Sequence, residues 1–173
     1  MDDVDRAIAD IGRVMELDTG NAGAMLFERA KLKRLKGDAA GAFADLGAVI
    51  DIGQAQLGPA FFERATLHAR SEDNTAALAD IDRALAHGID DVRAHNLKGW
   101  ALFKLGRPTE ALASAETALA RDPQAAYAHD TRGHALEALG RREEAVLAYK
   151  HALALDPKEE EARVGLRRLG VEP

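Results

Sequence analysis

The 173-residue chain contains no cysteine and no long apolar run. Without Cys it can form no disulfide, thiolate metal site, iron–sulfur cluster or cysteine nucleophile. Its uncharged stretches are far shorter than the ~20 apolar residues that cross a bilayer. Residues 1–10 are acidic, whereas a secretory signal begins with positive charge. We therefore expect a soluble protein with no membrane partner, and the lack of a signal segment favours the cytoplasm.

β-Branched residues are also scarce. The sequence has 36 Ala, against 19 residues of Val, Ile and Thr together, so helix formers dominate and an all-α fold is predicted. Lys and Arg number 23 against 29 Asp and Glu, a formal charge of −6, which argues against nucleic acid as a partner.

Small residues recur with a period of 34. Gly99 and Gly133, Ala111 and Ala145, and Pro123 and Pro157 are each 34 residues apart, and such a period indicates a repeat architecture. We predict one domain over 1–173, which begins with the second helix of a partial repeat at 3–18. Full repeats then follow at 23–57, 58–91, 92–125 and 126–157, and a capping helix at 158–169.

Each copy contains two helical patterns separated by a turn. Apolar and small residues recur at spacings of three and four, and the patterns break at Gly37-Asp38, 71–74, Gly106-Arg107-Pro108 and Gly140-Arg141. Antiparallel helix hairpins are therefore expected. The small residues at one repeated position let two helix backbones approach closely; these are Ala30, Ala65, Gly99 and Gly133.

The sequence contains no convincing candidate for a catalytic site. Arg29 and Arg64 each precede an aspartate, Asp45 and Asp80, by sixteen residues. We interpret them as ion pairs between the helices of a hairpin, in preference to a phosphate site. The six histidines offer no convincing set of metal ligands, and neither serine lies in a nucleophile motif. We expect no enzyme activity, no metal and no cofactor.

The repeated positions resemble the tetratricopeptide repeat (TPR). In the fourth copy the matching residues are Gly133, Ala145, Tyr149, Ala152 and Pro157. The resemblance implies a right-handed superhelical solenoid of antiparallel hairpins, whose first helices line a concave groove that holds peptides or partner proteins. His95 and His129 stand where the family has an aromatic residue, and Gln54 and Ile89 replace the proline.

The resemblance also assigns a groove. Its candidate binding residues are Lys31, Arg34, Phe62, Arg70, Arg93, Asn96, Trp100, Phe103, Lys104, Tyr127 and His134. Basic residues exceed acidic ones in the first three copies, and Asp130 and Glu137 reverse the balance in the fourth. The expected partner is a protein or peptide segment that is acidic and carries an apolar anchor. The family's carboxylate clamp is missing, because Phe27 and Phe62 stand where it requires Lys.

Trp100 is the expected anchor of ligand binding, since it follows Gly99 and turns toward the inner surface with Phe103 and Lys104. The alternative is that its indole packs on helix 126–139 and only stabilises the stack. A solvated inner face without a ligand is a further alternative.

A second hypothesis is self-assembly. Ile8, Ile11 and Val14 lie on a helix that has no first helix of its own repeat to cover them. Such a face is typical of an interface, so a homo-oligomer or a longer solenoid is the alternative function.

Overall fold

The computed structural model describes residues 3–17, 20–53 and 56–173. These residues form ten α-helices and no strand, which confirms the all-α prediction. The helices are α1 Asp3–Leu17, α2 Ala22–Lys36, α3 Ala39–Ile52, α4 Leu57–Arg70, α5 Asn74–Ala86, α6 Val92–Lys104, α7 Pro108–Arg121, α8 Ala126–Ala138, α9 Arg142–Leu155 and α10 Glu160–Arg168. Asp18, the predicted end of the partial repeat, and Gln54, which replaces the proline in the first full repeat, lie outside the described residues.

The helix ends follow the breaks in the sequence. Gly37 ends α2 with φ of +85°, a left-handed conformation that glycine adopts without strain. Asp38 then caps α3, because its side chain accepts a hydrogen bond of 2.8 Å from the Gly41 amide. Pro108 is the first residue of α7, where its missing N–H is not needed.

The hairpins are antiparallel, as residues equally far from each turn meet. Arg29 on α2 donates two hydrogen bonds to Asp45 on α3, of 2.8 and 2.7 Å. Arg64 on α4 donates two to Asp80 on α5, of 2.6 and 2.8 Å. Burial alone would raise the pKa of Asp45, but hydrogen bonds from Arg29 and Lys33 hold it below its ordinary value. Both predicted ion pairs are confirmed.

The helices group into two units. The first contains residues up to Glu72 and Ala79–Ile89, and its core includes Leu26, Leu46 and Leu67. The second contains Asp73–Leu78 and Asp90–Pro173, and its core includes Leu102, Leu136, Tyr149 and Leu166. Helix α5 thus contributes its first residues to the second unit and the rest to the first.

Tyr149 organises the packing of the second unit. Its ring is fully buried between two glycines, Gly133 on α8 and Gly165 on α10. A Cβ atom at either glycine would lie 2.5 Å from a ring carbon of Tyr149. The Tyr149 hydroxyl donates a hydrogen bond of 2.8 Å to Glu137. The small residues at Ala30, Ala65, Gly99 and Gly133 are all buried, as their repeated position predicts.

Within the described ranges, no helix combines the length and apolar character that a membrane crossing requires.

Candidate functional site

A cavity of about 440 Å³ opens on the second unit, where helices α6, α8 and α10 meet. Helix α8 contacts both α6 and α10. The cavity is lined by Trp100, Phe103, Lys104, His134, Glu137, Ala138, Glu161 and Arg168. Four residues predicted for the groove therefore lie together here: Trp100, Phe103, Lys104 and His134.

Three rings form one wall of the cavity. The centroids of Trp100 and Phe103 are 5.6 Å apart, and that of Phe103 lies 4.9 Å from the His134 ring. Trp100 meets His134 edge-on at 5.4 Å. The half-buried indole thus lines the cavity and also packs on α8, so both interpretations of Trp100 describe part of its surroundings. The Lys104 ammonium lies 5.6 Å from the indole centroid.

Two buried ionisable groups lie on α8, and one of them, His134, belongs to this wall. Asp130 and His134 are 5% and 4% exposed, and His134 Nε2 is 3.6 Å from Asp130 Oδ1. Among the described residues, neither this oxygen nor either ring nitrogen has a hydrogen-bond partner.

Burial shifts both pKa values toward the neutral forms. It raises the pKa of Asp130 to about 7, helped by Glu159 and Glu161. It lowers the pKa of His134 to about 4, helped by the positive charges of Arg168 and Lys104. Between about pH 4 and 7 both groups are therefore mostly uncharged.

Glu137 and Arg168 bridge α8 and α10 at the cavity rim. Two guanidinium nitrogens of Arg168 donate hydrogen bonds of 2.6 Å to the two Glu137 oxygens. These bonds, more than the one from Tyr149, hold the pKa of Glu137 below its ordinary value despite partial burial. The two charges neutralise each other, so neither is available as an isolated charge for a ligand.

Comparison with known proteins identifies the repeats. Two family models, each described as Tetratricopeptide repeat, match residues 62–126 and 126–159. The chain belongs to the tetratricopeptide repeat family. TPR domains are protein–protein interaction modules, and the family is generally non-catalytic. No curated protein matches the chain.

Solved TPR structures share the fold. YrrB, described as a TPR protein with an unusual peptide-binding site, is 22% identical, with 95% of this chain and 84% of YrrB covered and a TM-score of 0.81. MamA is 23% identical, with 92% of both chains covered and a TM-score of 0.79. The second TPR domain of human RPAP3, in complex with an HSP70 peptide, is 20% identical, with coverages of 65% and 93% and a TM-score of 0.58.

The other predicted TPR groove residues of the second unit do not line the cavity. Arg93 pairs with Asp91 at 2.9 Å, Asn96 has a buried amide oxygen without a partner among the described residues, and Tyr127 is exposed. Asp130, predicted to make this part of the groove acidic, is buried instead.

In the first unit most predicted cations are neutralised locally. Lys31 pairs with Glu28 at 2.9 Å, and Arg34 pairs with Glu63 at 3.1 Å. Arg34 and Arg70 line a smaller cavity of about 250 Å³, whereas Phe62 is half-buried outside it. The formal excess of basic residues is therefore a poor guide to the charge that a partner meets.

Glu161 and Arg168 are the cavity residues that the repeat alignment missed, because it ended at Pro157. Glu161 lies 34 residues after Tyr127, and Arg168 lies 34 after His134. Extending the period beyond the last proline places both at TPR groove positions. Helix α10 therefore corresponds in the repeat pattern to α8, the first helix of the preceding repeat. Across residues 3–17, 20–53 and 56–173, no group of three or more His, Asp or Glu could hold a metal ion.

Proposed function

We propose that this TPR chain is a non-catalytic binding module whose α6–α8–α10 cavity holds an apolar side chain from a peptide segment of a partner protein. The observation that carries the proposal is the half-buried Trp100, which forms a cavity wall with Phe103 and His134. Tryptophans in such partly desolvated pockets are typical binding hot spots.

The dimensions and chemistry of the cavity support this function. Its volume lies within the range of ~300–1,000 Å³ that is usual for ligand pockets. One wall of the cavity is aromatic, and its charged residues are exposed or half-buried, which is the usual arrangement of a protein interface with an apolar centre and a polar rim. The bound HSP70 peptide in one TPR neighbour, the second TPR domain of human RPAP3, supports the proposal by similarity of fold.

Filling the cavity tests the proposal. Ala138 is exposed and lines the cavity, so Ala138→Phe adds bulk there without removing any core contact. Peptides selected on the wild-type chain from a displayed random library should bind this variant at least ~10-fold more weakly, which corresponds to about 1.4 kcal/mol. Fluorescence polarisation with labelled peptides measures the affinity.

Ala113→Phe is the matched control, since Ala113 is exposed on α7 outside the cavity. It should leave binding unchanged. Equal affinity of every selected peptide for the wild type and Ala138→Phe, or a library that yields no binder, would contradict the proposed function.

Self-association through α1 is the second candidate. No residue of α1 is buried, Val14 is 43% exposed and Leu17 is 89% exposed. Ile8 and Ile11 are half-buried, so Val14 is the better probe of this face.

Val14→Lys should shift an oligomer toward monomer, because a charge would enter the apolar contact. The exposed Ala9→Lys, which introduces the same charge elsewhere on α1, is its control. Sedimentation velocity measures the state. A wild-type chain that is monomeric at all concentrations, or an oligomer that Val14→Lys leaves intact, argues against assembly.

A further inference from the structure

We infer that the cavity fixes the direction of the bound segment: its apolar anchor is flanked by an acidic residue on the α6 side and a basic residue on the α10 side. This inference rests on the proposed function and adds the charge pattern of the partner. The inference is based on the four charged side chains at the cavity, of which two pair with each other and two are available to a ligand.

Of the four charged side chains that line the cavity, two already pair with each other. Glu137 and Arg168 form a two-fold hydrogen-bonded pair across α8 and α10. Their geometry is close to ideal for a guanidinium and a carboxylate, so a ligand charge would have to break two charge-assisted hydrogen bonds to reach either group.

The other two charges are available to a ligand. Lys104 and Glu161 are both exposed, and neither forms an ion pair with any residue that the structure describes. The Lys104 ammonium lies 5.6 Å from the centroid of the Trp100 ring. A carboxylate of the partner can therefore pair with Lys104 while the ammonium stays at the aromatic wall.

The two available charges come from different sides of the anchor. Lys104 is the last residue of α6, and Glu161 lies in the first turn of α10. Helix α8 contacts both of these helices and contributes His134 and Ala138 to the cavity between them. A side chain inserted over α8 therefore has a positive charge on one side and a negative charge on the other.

This arrangement discriminates between the two directions of a segment. In the favoured direction each flanking charge meets its opposite. In the reverse direction an acidic residue would lie beside Glu161 and a basic residue beside Lys104, and juxtaposed like charges reduce affinity for the wrong partner. An entirely acidic segment satisfies Lys104 but is repelled by Glu161.

The experiment compares synthetic peptides of two charge orders. Peptides are selected from the random library on the wild-type chain and sequenced, and the best binder is resynthesised with its flanking acidic and basic residues exchanged. The wild-type chain should prefer the selected order at least ~10-fold in Kd at low salt, and the preference should shrink at high salt.

The double variant Lys104→Glu, Glu161→Lys should reverse this preference and bind the exchanged peptide more tightly. A control variant makes the same two charge changes at exposed positions on α9, Lys150→Glu and Glu143→Lys, outside the cavity. It should retain the wild-type preference.

Two results would overturn the inference, and they are distinguishable. In the first, peptides bind Ala138→Phe weakly, but the wild-type chain binds both charge orders equally, or the Lys104→Glu, Glu161→Lys variant keeps the wild-type preference. That result would refute the charge pattern and would be consistent with the proposed function. Peptides that bind Ala138→Phe as well as the wild type would refute the proposed function and the inference together.

Discussion

Asp130 and His134 respond to the same burial with opposite pKa shifts. In the folded chain the pKa of Asp130 is about 7 and that of His134 about 4, against ordinary values of 3.8 and 6.5. Between pH 4 and 6.5 the unfolded chain holds one proton on His134, and the folded chain holds one on Asp130. The two states bind the same number of protons, so the pair adds no pH dependence to stability in this range.

Removing one member of the pair should expose the titration of the other. In Asp130→Asn the lowered pKa of His134 remains, because burial, Arg168 and Lys104 cause it. The unfolded state then binds the extra proton, and the free energy of unfolding should rise from pH 4 to 6.5. In His134→Phe the raised pKa of Asp130 remains, and the free energy of unfolding should fall from pH 4 to 7.

Each slope should approach about 1.4 kcal/mol per pH unit, the free energy of one proton per unit of pH. Urea unfolding of the wild type and both variants at pH 4, 5, 6 and 7 measures the slopes. Slopes of the same sign in the two variants, or slopes equal to that of the wild type, would show that the pair does not titrate as described.

The buried ring of Tyr149 makes the approach of α8, α9 and α10 sensitive to a single methyl group. Gly133→Ala should destabilise the chain by about 1–3 kcal/mol, because the new Cβ would overlap the ring and Gly165 prevents the ring from moving away. Gly47→Ala in α3 meets nothing within 4 Å and should stabilise the chain by up to about 1 kcal/mol. Urea unfolding compares them, and equal effects of the two substitutions would refute this packing account.

The hairpins could be predicted from the sequence because local residues determine them. Gly37 and Asp38 end one helix and begin the next through their own backbone and side-chain bonds, and the Arg29–Asp45 spacing follows from an antiparallel turn. Contacts between helices that are distant in the sequence could not be predicted in this way. The pairing of Glu137 with Arg168 depends on where α10 packs, and neither residue carries a local signal of it.

Trp100, Phe103, Lys104 and His134 could be predicted for the site because their groove positions recur with the family's period. The burial of Asp130 could not, since a position that faces the groove in one repeat is covered here by the packing around α8. The cations of the first unit illustrate the same limit, as their neutralisation depends on the partners Glu28 and Glu63.

Composition and the 34-residue period extend over most of the chain and indicate the class of protein, whereas the proposed function depends on the cavity between α6, α8 and α10. YrrB and MamA share the TPR fold with this chain at 22–23% identity. That similarity establishes the architecture, whereas the identity of a partner depends on the side chains of the site. A formal charge of −6 over the chain coexists with a cavity whose four charges sum to zero, so net charge does not describe the binding site.

A partner segment that enters the cavity, as we propose, lies against the indole of Trp100. Trp100 is the only tryptophan of the chain, so its fluorescence reports on this cavity alone. Titration of the wild-type chain with a selected tryptophan-free peptide should shift the emission to shorter wavelength, because the anchor displaces water from the indole. Ala138→Phe should abolish the saturable shift. A peptide that binds with no change in Trp100 emission, or one that produces the same shift in Ala138→Phe, would contradict the claim.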